Sequence, residues 1–208
     1  MHIYTVKNIK HIIFDLGGVL LDIDYKKTED ALKKLGIKNV VFSKKSQDNL
    51  FNLIETGKIS KKEFIDKLLS FSTTKKREEI IAAWNSILIN LPKERIKLLK
   101  NLKNKFSIFL LSNTNEIHIN GLKNLLGEND YNEFINLFDK IYYSHIIGIR
   151  KPSKEAFYLI LEENNLNKKN VLFIDDSPQH IKSANNIGIN TYHIKNEDVL
   201  SIFPDIIQ

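Results

Sequence analysis

The 208-residue chain contains no cysteine. Disulfides, thiol catalysis and zinc–thiolate sites are thereby excluded, and a reducing compartment fits. No apolar run approaches the roughly 20 residues that cross a bilayer. The first ten residues, Met1 to Lys10, lack the long apolar stretch of a signal peptide. The expectation is a soluble cytoplasmic protein with no membrane partner. A strong charge of one sign is also missing. There are 31 basic and 25 acidic residues, a formal net charge of +6. The lysines are scattered in pairs (Lys26-Lys27, Lys33-Lys34, Lys44-Lys45, Lys61-Lys62, Lys75-Lys76, Lys168-Lys169) among acids. They read as solvated helix faces, with no nucleic-acid partner. Repeats and low-complexity segments are absent, and nothing specifies an oligomeric state. What is present is 42% apolar residues, enough for one large domain or a core with an inserted subdomain.

Five short apolar runs read as buried strands: Lys10–Phe14, Ser107–Leu111, Lys140–Tyr143, Val171–Ile174 and Asn190–Ile194. Helical patterns occupy 116–126, 153–165 and 178–187, and Gly188 stands where a helix C-cap glycine belongs. Strands alternating with helices predict an α/β fold with a parallel sheet. From Tyr25 to about Pro92 the alternation breaks and only helices are predicted. Ser60-Lys61-Lys62-Glu63 is a capping box. Gly57 closes the helix before it, which carries Leu50, Leu53 and Ile54. Trp84, at helical spacing from Ile80, Ile81 and Leu88, reads as core of this segment and not as a substrate platform.

Four polar clusters follow four of the runs. In parallel α/β sheets ligands bind beyond the carboxyl ends of the strands, so chain order alone predicts that these clusters converge. They are Asp15-Leu16-Gly17-Gly18-Val19, Ser112-Asn113-Thr114, Arg150-Lys151-Pro152, and Phe173-Ile174-Asp175-Asp176-Ser177. Singly, each has a plain reading as a turn aspartate, an N-cap, a solvated lysine or a pair of caps. Together, three acids, a lysine and an anion nest describe a magnesium site for phosphoryl transfer. Two adjacent carboxylates repel each other and call for a cation.

The clusters resemble, in order, the four motifs of the haloacid dehalogenase superfamily, and they span residues 11 to 188. The resemblance implies a Rossmann-like core from 1–21 and 93–208, with 22–92 as an inserted α-helical cap. It also implies a Mg2+-dependent phosphatase acting on a small phosphorylated metabolite, because a closing cap leaves little room for a polymer. Gly17, Asn113-Thr114-Asn115 and His118 are similar to the sugar-phosphate phosphatases of the glucose-1-phosphate type. By the same resemblance Asp15 is the nucleophile and forms an aspartyl-phosphate, and Lys151 neutralises charge on Asp15 and binds the phosphoryl group. Ser112, Asn113 and Gly18 sit at the phosphate, and Asp15, the Gly17 carbonyl and Asp176 ligate the metal with support from Asp175. Asp24, Asn115 and His118 are candidates for substrate specificity.

One position departs from the pattern. Phosphatases of this superfamily carry a second aspartate two residues after the nucleophile, and here that residue is Gly17. General acid–base help is worth ~10²–10⁴-fold. Three readings stay open. The substrate has a good leaving group; or Asp22, Asp24 or His118 substitutes; or the chain is a weak enzyme or a binder of a phosphometabolite. Halide removal, the reaction that names the superfamily, needs no metal and would leave Asp175-Asp176 without a purpose. His180 stands where the family has Asp or Asn and reads as a residue that simply lies on its helix. His2, His11, His145 and His193 form no metal-ligand spacing.

Overall fold

A computed structural model describes residues 8–37 and 49–204. His2, the Lys44-Lys45 pair and residues 1–7 lie outside the described residues. The strands are β1 (His11–Phe14), β2 (Asp22–Ile23), β3 (Leu88–Asn90), β4 (Ser107–Ser112), β5 (Lys140–Tyr143), β6 (Val171–Asp175) and β7 (Asn190–His193). The helices are α1 (Tyr25–Lys34), α2 (Asn49–Glu55), α3 (Lys61–Ser70), α4 (Arg77–Asn85), α5 (Lys93–Lys103), α6 (Glu116–Leu126), α7 (Glu128–Ile135), α8 (Ser144–Ile147), α9 (Lys154–Glu163) and α10 (Pro178–Asn186).

Five strands form one parallel sheet in the order β5-β4-β1-β6-β7. The continuous apolar runs follow from burial on both faces. Ile12 and Phe14 of β1 pack with Ile108, Leu110, Leu172 and Ile174 on one side. Ile13 packs with Phe109, Leu111, Val171 and Phe173 on the other. A one-residue slip of register would exchange the two sets. Register therefore brings the ends of β1, β4 and β6 level: Phe14 pairs with both Leu110 and Ile174. The parallel α/β sheet read from the sequence is the sheet observed.

The stretch expected to be helices only also contains β2 and β3. They form a two-stranded antiparallel ribbon, tied by the Asp24 amide to the Ile87 carbonyl at 2.9 Å. The ribbon joins the chain's way into the helical segment to its way out. Its pairing is non-local, and two- and three-residue strands carry no readable period. The helices α1–α4 share a separate core of Leu32, Phe51, Phe64, Ile80 and Trp84. Trp84 is 3% exposed, meets Phe51 at a tilt and Phe64 edge-on, and lies flat on His118 of α6 with ring centroids 5.0 Å apart. The capping box forms as read: the Ser60 amide donates to Glu63 Oε2 at 2.7 Å and the Glu63 amide to Ser60 Oγ at 3.2 Å.

Gly57 ends the turn after α2 in a left-handed conformation, φ +65°. A Cβ there would overlap the His145 carbonyl of α8, so glycine lets the helical segment sit directly on the core backbone. Gly148 has a similar φ of +72° but open space around it. Gly148→Ala should therefore cost only the left-handed penalty, about 1–2 kcal/mol. Gly57→Ala should cost about 1–3 kcal/mol more, because backbone must move. Thermal melts of both variants check this; equal destabilisation would mean that the contact at His145 is not tight.

Candidate functional site

Lys151 is fully buried, and its ammonium spends all three protons at the carboxyl ends of the central strands. It donates to the Leu111 carbonyl at 2.8 Å and to Asp175 Oδ2 at 2.7 Å, and it pairs with Asp15 Oδ1 at 2.8 Å. Burial alone would pull its pKa down, but Asp15 and Asp175 hold it above the ordinary lysine value. Its backbone is fixed as well. The Lys151 amide donates to Asn113 Oδ1 at 2.9 Å and its carbonyl accepts from Asn113 Nδ2 at 2.8 Å.

Asp15 follows β1, with its amide on the Ile174 carbonyl and its Oδ1 accepting from the Leu16 amide at 2.7 Å. Burial pushes its pKa up to about 8, against the pull of Lys151 and with the push of Asp175 and Asp176. The pocket thus holds more negative charge than one lysine compensates. Asp175 is held low: burial opposes this, but Lys151 and His180 outweigh it. Its oxygens are committed to Lys151, the Ser177 amide at 2.7 Å and His180 Nδ1 at 3.0 Å. Asp15, Asp175 and His180 bring ligand atoms within 4.8 Å of one another. Asp175 is already spent on Lys151, the Ser177 amide and His180, whereas Asp15 and Asp176 bring hard oxygen donors to the cavity wall. Asp176 lines the same cavity as Asp15 and Gly17. A Cβ on Gly18 would overlap its carboxylate, and Gly18 has φ +76°. Excess negative charge and a donor set of hard oxygens fit magnesium.

The structure relocates several residues singled out in the sequence. Gly18 was expected at the phosphate, but its amide donates to the Leu21 carbonyl at 2.8 Å, so what it provides is space for Asp176. Asp24 is the N-cap of α1, accepting from the Lys26 amide at 2.9 Å. Asn115, fully buried, is the N-cap of α6. Both side chains satisfy helix ends, and neither lines the cavity. His118 does line it. Its Nδ1 meets Asn115 Nδ2 at 3.1 Å and its Nε2 meets the Trp84 carbonyl at 3.2 Å. Burial takes its pKa down to about 4, so the ring is neutral, with both nitrogens in use. Asp22 is paired with Arg95 at 2.7 Å. Each of the three proposed substitutes for the missing acid thus already holds a partner within the protein. Ser112 is buried at the end of β4, while Asn113 and Thr114 line the cavity.

Other residues of the cavity wall were missed. His180 does more than lie on its helix: its ring buttresses Asp175. Tyr25 and Glu55 reach the cavity from α1 and α2. Glu55 pairs with Arg150 at 3.1 Å, and burial raises its pKa despite Arg150 and Lys151. The signal for it existed. Glu55 is the last residue of α2, the end of a helix that disfavours an anion.

Lys151→Met would leave Asp15 and Asp175 buried together without their cation. The expected loss is about 3–5 kcal/mol, or roughly 6–20 °C of melting temperature for a chain of this size. Adding Asp175→Asn to Lys151→Met should restore part of it, since one uncompensated charge goes. Melts of both variants in EDTA are the check. A double variant less stable than the single would rule out the charge-triad reading.

Residues 9–188 match the model of the haloacid dehalogenase-like hydrolases. The chain is similar to the D-ribitol-5-phosphate phosphatase of Bacteroides thetaiotaomicron, with 28% identity over 191 residues, 90% of this chain and 93% of that one. It is similar to the sesquiterpene phosphatase astK of Aspergillus oryzae, with 27% identity over 189 residues, 89% of each. Its fold matches a solved mutant of a haloacid dehalogenase family enzyme from Bacteroides thetaiotaomicron in complex with magnesium and inorganic phosphate. That match has a TM-score of 0.84 and 32% identity, covering 94% of this chain and 98% of that one. No helix among the described residues is long and apolar enough to cross a membrane. With the family model matching most of its length, the chain belongs to the haloacid dehalogenase-like hydrolases.

Proposed function

We propose that the chain is a magnesium-dependent phosphatase that removes the phosphoryl group from a small sugar or polyol phosphate, with Asp15 as the nucleophile. The observation that carries this is the buried Asp15 carboxylate on the cavity wall, held by Lys151 at 2.8 Å and crowded by two further carboxylates. A phosphate dianion approaches such a place only if its charge is offset. Magnesium, held by Asp15, Asp176 and the Gly17 carbonyl, would supply that offset. Lys151 fixes the Asp15 oxygen and neutralises charge there, and Asp175 and His180 keep the lysine in place. The Asn113 amide, with Ser112 beside it, orients the phosphate oxygens. An Asp15 oxygen bonds to phosphorus as the bond from phosphorus to the substrate oxygen breaks. Water then attacks phosphorus, releasing inorganic phosphate and restoring the carboxylate. With glycine at position 17, the departing oxygen takes its proton from water. Similarity to relatives named as phosphatases supports this reading over a binding protein without turnover. The helical segment of residues 22–92 serves as the cap that closes on the substrate.

Hydrolysis of p-nitrophenyl phosphate should require magnesium and stop in EDTA. Asp15→Asn should reduce it to below about 1% of wild type, because the amide is not a nucleophile. Turnover that survives in folded Asp15→Asn would remove Asp15 from the role.

The departure at Gly17 is testable in the same assay. Gly17 has no positive φ, and a Cβ there meets only the mobile tip of Ile23, Cδ1 at 3.0 Å. An aspartate is thus tolerated once Ile23 shifts. Gly17→Asp should raise turnover of simple alkyl phosphates about tenfold and of p-nitrophenyl phosphate less, since poor leaving groups need the acid most. An equal change on both, in a folded variant, would show that the missing acid does not limit the reaction.

A further inference from the structure

The cavity has two unlike sides. One is apolar, with Leu21, Ile23, Ile87, Leu88, Ile119 and Leu122. The other carries Glu55, Tyr25, Ser177 and His180. On that polar side Glu55 Oε2, Ser177 Oγ and His180 Nε2 are buried and make no hydrogen bond within the protein. Buried polar atoms left in this state are costly. Three of them around one cavity indicate a ligand rich in hydrogen-bonding groups.

Glu55 is the member placed to select that ligand. It is the last residue of α2, and the turn behind it is set by Gly57 against the His145 carbonyl. Its position is therefore fixed by backbone contact. Its side chain is 16% exposed and that of its partner Arg150 is 11% exposed. Arg150 does not line the cavity. It lies 3.1 Å from Glu55 Oε2 without a hydrogen bond between them. The guanidinium thus compensates the charge and leaves the oxygen's lone pairs unspent. A carboxylate of this kind only accepts hydrogen bonds. It repels a second phosphate, gains nothing from a hydrocarbon chain, and binds hydroxyl groups.

Building on the phosphatase reading, we infer that Glu55, backed by Arg150, is the specificity residue of this site and accepts hydrogen bonds from the hydroxyls of a polyol monophosphate whose phosphoryl group meets Asp15. Ser177 and His180 offer further partners to the same hydroxyl chain. The apolar side packs against its carbon backbone.

The test pairs ribitol 5-phosphate with n-pentyl phosphate. Both release a primary alkoxide from a five-carbon chain, so leaving-group chemistry is nearly matched and the hydroxyls are the difference. A site built to bond hydroxyls rejects the analogue without them by up to ~10⁴–10⁵-fold. Wild type should favour ribitol 5-phosphate in kcat/KM by at least about 100-fold. Glu55→Gln should narrow that preference about tenfold, mainly through KM, as charge-assisted bonds are lost. The double variant Glu55→Gln/Arg150→Met leaves no lone buried charge and should show the same narrowing if the single variant does not fold. A wild-type preference near one, or a preference for n-pentyl phosphate, would overturn the inference and assign the cavity to an apolar substrate. An unchanged preference in a folded variant would overturn the role of Glu55. Magnesium-dependent turnover of p-nitrophenyl phosphate by wild type separates these failures from failure of the phosphatase reading itself.

Discussion

The ammonium of Lys151 is the point on which the site depends. It has three protons and three acceptors: one main-chain carbonyl at the end of β4, the carboxylate after β1 and the carboxylate closing β6. Those strands are neighbours in the sheet, so a single buried charge ties their carboxyl ends together. The cost of burying a lysine is high unless every proton is used and the charge is met. Both conditions hold, and they hold only in this register of β4, β1 and β6. The sheet places the acids, and the lysine makes their proximity tolerable. Asn113, gripping the lysine's backbone from the β4 side, keeps the loop before α9 from withdrawing it.

One lysine does not balance three carboxylates. The surplus shows in the raised pKa of Asp15 alongside the lowered pKa of Asp175. Asp175 has won the lysine and the histidine, while Asp15 is left between a shared cation and the repulsion of Asp176. An acid in that position favours the arrival of positive charge, and with hard oxygen donors around it a divalent cation is the natural partner. The same imbalance explains the glycine at position 18, where any side chain would displace the Asp176 carboxylate.

Much of this was legible in the sequence, for a definite reason. Strands buried on both faces read as continuous apolar runs, and each stops at a polar cluster that cannot be buried unaided. His11–Phe14 and Val171–Asp175 therefore announced both the sheet and the positions of Asp15 and Asp175. The parts that could not be read depend on non-local geometry. Nothing in Asp22–Ile23 or Leu88–Asn90 signals a ribbon, because each strand exists only through the other. Asp24 and Asn115 carry the polar groups expected of specificity residues, yet they end on helix caps, which favour the same residue types. Glu55 is the one charged residue of α2 and stands at its disfavoured C-terminal end, a signal that names no partner. Its burial against Arg150, some 95 residues along the chain, emerges only when α2 meets the core.

The ribbon also bears on the departure at Gly17. In a chain with an aspartate at this place, the side chain would enter the cavity beside the nucleophile. Here that volume is approached by Ile23, whose Cδ1 stands 3.0 Å from where a Cβ would be. Ile23 belongs to β2 and lines the cavity with Ile87 and Leu88 from the returning chain. The chain's path into the helical segment therefore closes apolar surface over the position from which a proton would be delivered. That surface lowers the local dielectric on one side of Asp15 and strengthens the charge interactions there. The glycine at position 17 and the apolar surface of Ile23 beside it belong to one packing arrangement. The polar demands of a substrate must then be met from the opposite wall, where Tyr25, Glu55, Ser177 and His180 are found.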